Sequence, residues 1–128
     1  LSRLVHGLSV PIGLTIFNVI LLNEFPDYPA DVAAGKANLT ARFGRERAAW
    51  VYGIVSLGSW IGMGLSLANG VPLQVLWFYL PIFALSVALT ILVLRGRWQD
   101  RDTLEMLCGA NIGVNLGTTL AYILAFVL

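Results

Sequence analysis

The chain has 128 residues, of which 58% are hydrophobic and only 12% are charged, and its mean hydropathy is +0.80. Soluble domains carry about 25% charged residues, so this composition argues against a buried soluble core as the source of the apolar runs. The net charge of +1 is small, and no nucleic-acid partner is expected. A single cysteine, Cys108, excludes an intrachain disulfide.

Charged residues are confined to two groups, at 24–47 and 95–105, with only Arg3 outside them. The 47 residues from Ala48 to Leu94 contain no Asp, Glu, Lys or Arg. That run is too long for one membrane span of about 20 residues and fits two spans joined by a turn. We therefore predict an all-α integral membrane protein with four transmembrane helices, at about 4–23, 48–68, 74–94 and 106–128.

The same charge distribution predicts the orientation in the bilayer. The middle two spans form a hairpin, so segments 24–47 and 95–105 must emerge on one side of the membrane. These two segments hold seven of the eight Lys and Arg residues, and the 69–73 turn holds none. By the positive-inside rule, the side that carries the two charged segments is cytoplasmic.

A polar segment with a regular spacing follows the first span. Asn23, Asp27 and Asp31 are each four residues apart, and Lys36 follows Gly35. Carboxylates near hydrocarbon are costly and usually mark a metal, ion or substrate site. Because Mg²⁺ binds through one or two carboxylates plus substrate phosphates, the segment predicts a phosphate-bearing ligand held through this cation. The alternative is a set of interfacial carboxylates with a snorkelling lysine.

Two prolines determine the predicted local structure of this segment. Pro26 and Pro29 cannot both lie inside one continuous helix, since each lacks an N–H and clashes with the carbonyl four residues earlier. We expect the first span to end near Asn23 and a short helix to begin near Pro29. Asp27 would then lie in the connecting turn and Asp31 in the first helical turn.

The remaining polar and small residues suggest helix packing. Glycines at a spacing of four predict close approach of helix backbones, and they are Gly58 and Gly62, and Gly109, Gly113 and Gly117. A polar stripe in the last span either forms interhelical hydrogen bonds or lines a polar substrate cavity, and it consists of Asn111, Asn115 and Thr119. A second acidic group lies among arginines and is interpreted as a loop on the cytoplasmic face, the alternative being a catalytic role; its members are Asp100, Asp102 and Glu105.

The segment from Asn23 to Gly44 resembles the second aspartate-rich motif of the UbiA superfamily of intramembrane prenyltransferases. That motif has the form N-x-x-x-D-x-x-x-D-x-x-x-G-K, followed after a short linker by R-x-G, here Arg42-Phe43-Gly44. The likeness is greatest to the branch acting on dihydroxynaphthoate and related quinone precursors. Two departures are Pro29 within the aspartate pair, and Ala37-Asn38 where Arg-Thr is common.

The resemblance implies a nine-helix bundle with one aspartate-rich motif in each half, of which this chain is similar to the C-terminal half. It implies Mg²⁺-dependent transfer of a prenyl group from a polyprenyl diphosphate to an aromatic acceptor. A missing N-terminal half would carry the first motif, so this chain alone is expected to be inactive. The implied roles are metal binding by Asp27 and Asp31, diphosphate contact by Lys36 and Arg42, and orientation of the cluster by Asn23.

Two other classes are compatible with parts of the sequence. A non-enzymatic membrane subunit or a transporter fragment would explain the spans and the glycine stripes, but it leaves the Asn-Asp-Asp-Lys order as coincidence. A CDP-alcohol phosphotransferase is also a Mg²⁺-dependent membrane enzyme with spaced aspartates. Its signature requires an Asp-Gly pair, which does not occur here.

Overall fold

A computed structural model describes residues 3–35 and 38–127 of the chain. Throughout this part the regular secondary structure is helical, with short turns between the helices. In chain order the helices are α1 (Arg3–Asn23), α2 (Tyr28–Ala33), α3 (Leu39–Phe43), α4 (Arg45–Ser66), α5 (Val75–Leu94) and α6 (Arg101–Val127). Single 3₁₀ turns follow α4 at Leu67–Asn69 and precede α6 at Arg97–Gln99.

Four of these helices, α1, α4, α5 and α6, are long and apolar enough to cross a membrane. The predicted all-α fold with four spans is confirmed, and the predicted limits differ most at the start of α6. Asp100 adopts an extended backbone just before α6, and its side chain accepts a hydrogen bond of 2.5 Å from the Thr103 hydroxyl. The Asp100 carboxylate also accepts hydrogen bonds from the backbone of Asp102 and Thr103, and this cap lets α6 begin at Arg101 rather than near 106.

The second acidic group is therefore not a loop, because only Asp100 precedes the helix. Asp102 lies in the first turn of α6, where a carboxylate interacts favourably with the helix dipole. Glu105 lies 3.8 Å from Arg101 in an exposed pair, which contributes little to stability. The hydrogen bond from Thr103 lowers the pKa of the exposed Asp100 carboxylate. The roles of Asp100 and Asp102 at the start of α6 account for the acidic residues in this part of the sequence.

The four long helices form a closed ring. Helix α1 packs against α4 and α6, and α5 packs against the same two helices, so that α1 and α5 lie diagonally opposite. The interior is filled by two clusters of buried side chains. One lies near the end of α1 that carries the motif and includes Leu22, Tyr52 and Trp98. The other lies towards the opposite end and includes Met63 and Tyr122.

The outer surface of the ring is apolar. Large hydrophobic side chains point away from the bundle on every long helix, among them Ile54 at 68% exposure, Trp77 at 76% and Leu116 at 63%. A water-soluble monomer rarely exposes contiguous apolar surface of this kind, whereas hydrocarbon is its natural solvent. Together with the four spans, this surface identifies an integral membrane protein.

Glycines bring two pairs of helices together, in part as predicted. Added Cβ atoms on Gly58 and Gly62 would lie 3.3 Å from side chains of α1, so both glycines form the close α1–α4 contact. An added Cβ on Gly117 would meet the Ile82 side chain of α5 at less than 3 Å. The prediction for Gly109 and Gly113 is wrong for the described residues, because an added Cβ on either would meet nothing within 4 Å.

The first member of the polar stripe connects three helices. Asn111 of α6 accepts a hydrogen bond of 2.8 Å from the Tyr52 hydroxyl of α4. Its Nδ2 donates to the Asn18 carbonyl of α1 at 3.0 Å. Asn18 in turn donates to the Ser56 hydroxyl of α4 at 3.0 Å. These side chains are all buried, so the contacts form a polar layer across the centre of the bundle.

The rest of the stripe also bonds within the bundle. Asn115 donates to the Thr15 hydroxyl of α1 at 2.7 Å. Thr119 donates to the Asn115 carbonyl of its own helix at 3.1 Å. Of the two alternatives for the stripe, the structure favours interhelical hydrogen bonding for both asparagines.

Gly117→Ala should destabilise the chain by about 1 kcal/mol or more, because the added methyl group overlaps Ile82 and forces the α5–α6 contact apart. Gly113→Ala is the matched control: it meets open space and should be neutral or stabilising by up to about 1 kcal/mol, since alanine favours helix over glycine. Reversible unfolding in mixed micelles measures both. Ile82→Val should relieve part of the Gly117→Ala effect, and equal stability of the two alanine variants would contradict the packing.

Candidate functional site

The motif begins where α1 ends and the chain turns back. Asn23 is the last residue of α1 and is exposed. Two residues later Phe25 is fully buried and packs edge-to-face on Trp98, with ring centroids 5.5 Å apart. Burial of this ring anchors the turn against the connection between α5 and α6. The following residues, Pro26 and Asp27, are exposed.

The two aspartates lie one helical turn apart, as the prolines predict. Asp27 is the N-cap residue of α2, Pro29 lies at the start of that helix, and Asp31 lies in its first turn. The Asp31 amide donates to the Asp27 carbonyl at 2.8 Å, which closes the turn. Asp27 is exposed, whereas Asp31 is only 8% exposed. Residues with this spacing on a helical turn are neighbours.

Both glycines of the motif have backbone conformations that favour glycine. Gly35 follows the C-cap of α2 with a φ of +72°, and Gly44 separates α3 from α4 with a φ of +88°. Side-chain-bearing residues rarely adopt such angles. Open space surrounds both, so the backbone angle rather than crowding explains the residue type. Lys36, the predicted diphosphate contact, lies outside the described residues.

Asn38 connects the second aspartate to the next helix. It is the N-cap residue of α3, and its Oδ1 accepts a hydrogen bond of 2.7 Å from the Ala41 amide. Its Nδ2 donates to Oδ2 of Asp31 at 2.9 Å. One side-chain amide thus caps α3 and contacts a motif carboxylate.

A second contact joins the same two segments. Oε1 of Glu24 accepts a hydrogen bond of 3.0 Å from the Thr40 amide, in the first turn of α3. Thr40 is fully buried, and its hydroxyl has no hydrogen-bond partner within the described structure. The Glu24 side chain therefore binds the backbone of α3 and holds this helix against the end of α1.

An arginine with two aromatic contacts borders the motif. The guanidinium carbon of Arg45 lies 4.8 Å from the centre of the Tyr28 ring and 5.1 Å from that of Trp98. Such cation–π contacts contribute about 0.5–1 kcal/mol at exposed sites. Arg45 also borders a cavity of about 170 Å³, whose other walls include Pro26 and Pro29. The start of α4 is in this way attached to α2 and to the α5–α6 connection.

The predicted substrate contacts occupy the surrounding surface. Asn23 is exposed at the end of α1, and Arg42 is exposed on α3. The structure brings Asp27 and Asp31 onto one helical turn. The roles of Asn23 and Arg42 stay predictions, since the structure gives their positions and no ligand contact.

The donor set of the site fits Mg²⁺. Asp27 and Asp31 offer carboxylate oxygens only, which a hard cation prefers over nitrogen and sulfur. Within the described residues no group of three or more His, Cys, Asp or Glu side chains could hold a metal. Mg²⁺ does not require such a cage, because it keeps several waters and completes its shell with substrate phosphates.

Several residues that shape the site were not found from the sequence. Asn38 has the residue type and the place of an N-cap before a helix, so its capping role was detectable. The contact of Asn38 with Asp31 was not detectable from the sequence. The contact of Glu24 with Thr40 was not detectable either. The rings around Arg45 come from separate parts of the chain, and no local pattern connects them.

Comparison with protein families finds one match. The family model described as the UbiA prenyltransferase family matches residues 1–127. A comparison with curated proteins finds no match, and neither does one with solved structures. The family match covers nearly the whole chain and agrees with the motif and with the four membrane helices. The chain belongs to the UbiA prenyltransferase family.

Proposed function

We propose that this chain takes part in Mg²⁺-dependent transfer of a prenyl group from a polyprenyl diphosphate to an aromatic acceptor of the quinone-precursor type. The family supports a membrane prenyltransferase in general. The observation that carries the finer proposal is the pair Asp27 and Asp31, held one helical turn apart directly after a membrane helix. Two carboxylates at the edge of the hydrocarbon suit an amphipathic prenyl donor. Its charged diphosphate would lie beside the carboxylates, and its apolar chain would lie in the hydrocarbon.

In this proposal Asp27 and Asp31 would hold Mg²⁺, and a cation bound there would supply positive charge beside the diphosphate leaving group. Asn23 orients the cluster, and Lys36 and Arg42 contact phosphate oxygens. The allylic carbon then forms a bond to the electron-rich acceptor ring. The ring loses a proton, and diphosphate is the leaving group.

The isoprenoid is proposed to lie on the outer surface of the four helices. The interior is filled by large side chains such as Met63 and Tyr122, which are 2% and 3% exposed. A groove of about 360 Å³ runs between α1 and α6, lined mainly by apolar side chains such as Ile12 and Phe126. A tail in this groove would be open to lipid on its outer side, because these four helices do not enclose it.

We therefore also propose that the site is completed by an N-terminal half that carries the first aspartate-rich motif. The sequence contains one Asn-Asp-Asp-Lys segment, and its other acidic group caps and begins α6. The Mg²⁺ held by a single pair of carboxylates would neutralise only part of the charge on a diphosphate during ionisation. The cation held by a second cluster facing the first would supply the remainder.

Asp27→Asn and Asp31→Asn, each made in the chain together with its N-terminal half, should lower prenyl transfer at least a hundredfold, because each removes a charged ligand of the metal. Membrane insertion should be unchanged. Asp102→Asn is the control, since this exposed carboxylate lies outside the motif and should keep native turnover. The measurement is incorporation of radiolabelled prenyl groups into an aromatic acceptor at several Mg²⁺ concentrations. Native turnover by both motif variants would contradict the metal assignment.

The purified 128-residue chain should show no prenyl transfer with Mg²⁺, and addition of the N-terminal half should restore it. The reason is that the cation held by one carboxylate pair would leave the diphosphate incompletely neutralised. The assay is the same, with the chain reconstituted alone and with its partner half. Transfer by the chain alone would show that one motif suffices or that two copies combine their motifs. No transfer in either preparation, over a range of donors and acceptors, would favour a non-enzymatic membrane subunit.

The motif is proposed to face the cytoplasm, because the segments on its side hold seven of the eight Lys and Arg residues. In a Cys108→Ser background, single cysteines at the exposed positions Ala33 and Gln99 should react with an impermeant maleimide only from the cytoplasmic side. A cysteine at Leu73, which is 69% exposed, should react only from the other side. Leu73 is preferable to Gly70, whose φ of +106° disfavours a side chain. The reverse labelling pattern would contradict the proposed topology and would place the motif on the opposite side of the membrane.

A further inference from the structure

One hydrogen bond to a motif carboxylate comes from a residue in the linker between the Gly-Lys and Arg-x-Gly parts of the motif. Asn38 lies seven positions after Asp31, across the break between α2 and α3, and donates from Nδ2 to the carboxylate Oδ2 at 2.9 Å. A donor at this distance from an ionised acceptor forms a charge-assisted hydrogen bond, which is stronger than a neutral one. Asp31 is only 8% exposed, so water competes weakly for this contact.

The orientation of the Asn38 amide follows from its two partners. The Ala41 amide is a donor, so the atom that faces it at 2.7 Å must be the oxygen of the side chain. The nitrogen then necessarily faces Asp31, where it has an acceptor. Reversal of the amide would place an N–H against an N–H and an oxygen against a carboxylate. The capping bond thus holds the donor towards Asp31.

The peptide that carries Asn38 is itself held in place. Glu24 accepts a hydrogen bond of 3.0 Å from the Thr40 amide, two residues further on, and this contact attaches the start of α3 to the end of α1. The Asn38 side chain is therefore attached to a fixed backbone at one end and to a carboxylate at the other. Such second-layer partners orient metal ligands and typically change metal affinity by about 10–100-fold when removed.

From this geometry we infer that Asn38 is a positioning residue, which fixes the Asp31 carboxylate for metal binding while capping α3. The inference rests on the proposed function for the identity of the ligand, but the positioning itself is independent of it. Asn38 does not contact substrate in this account. Asn38 acts through Asp31. Its effect should therefore appear as a single preferred rotamer of the Asp31 side chain before any metal binds.

The test compares two variants that separate the cap from the donor. Asn38→Ser retains a good capping oxygen but is too short to reach Asp31, and Asn38→Ala loses both functions. The first measurements are made by NMR on the metal-free 128-residue chain in lipid nanodiscs. They are the χ1 rotamer population of Asp31, from side-chain scalar couplings, and the hydrogen exchange of the Ala41 amide.

Asn38→Ser should give an averaged Asp31 rotamer with native protection of Ala41. Asn38→Ala should give the same averaging and faster exchange at Ala41. An unchanged Asp31 rotamer in both variants would overturn the inference. Loss of Ala41 protection in Asn38→Ser equal to that in Asn38→Ala would also overturn it, because the residue would then act only as a helix cap.

The second measurement connects positioning to the metal. Binding of Mn²⁺ in the presence of inorganic diphosphate, followed by the EPR signal of the free ion, should weaken about tenfold in Asn38→Ser. Native affinity in this variant would overturn the role in metal binding. Absence of Mn²⁺ binding by the unaltered chain would instead contradict the proposed function, and the rotamer measurement would still decide whether Asn38 positions Asp31.

Discussion

Hydrocarbon offers no hydrogen bonds, and the structure depends on this constraint at every level. The four long helices satisfy nearly all of their backbone groups internally. The buried Asn111 of α6 bonds to Tyr52 of α4 and to the Asn18 carbonyl of α1, and the Asn18 side chain donates to Ser56 of α4. Non-helical backbone is consequently confined to the ends of the spans, where water can reach it. The motif lies at such an end. Its two prolines and its two glycines with positive φ would be costly within a span, but they cost little at the surface of the bilayer.

Tertiary contacts hold the helices of the site in place. Helices of six and five residues, such as α2 and α3, are too short to be stable alone. Burial of Phe25 fixes the entry to the motif, and the hydrogen bond from Thr40 to Glu24 returns α3 to the end of α1. Arg45 then joins α2 to the α5–α6 connection through its two ring contacts. The positions of the aspartates are therefore set by residues outside the spaced carboxylates.

The spans depend on local sequence, whereas the site depends on tertiary contacts, and this difference explains what the sequence could predict. Charge-free runs determine the spans because hydrocarbon excludes charge, and the prolines determine where α2 begins because they exclude a continuous helix. The glycine pattern was less informative, since Gly113 and Gly117 have the same spacing but only Gly117 faces another helix. Spacing alone does not show which stripe of a helix is covered. Contacts such as Asn38 with Asp31 depend on how α3 folds back, and no local pattern encodes that path.

The number of carboxylates at the site bears on how a metal would be held there. Under the proposed function, Asp27 and Asp31 supply only part of the oxygen shell of Mg²⁺. A pair of carboxylates, of which Asp31 is held by Asn38, suits a cation that shares its remaining positions between water and phosphate. Under the proposed function, metal affinity should therefore depend on the diphosphate. The metal would then be held most firmly when the prenyl donor is present. Positive charge would therefore be in place when the diphosphate of the donor is bound.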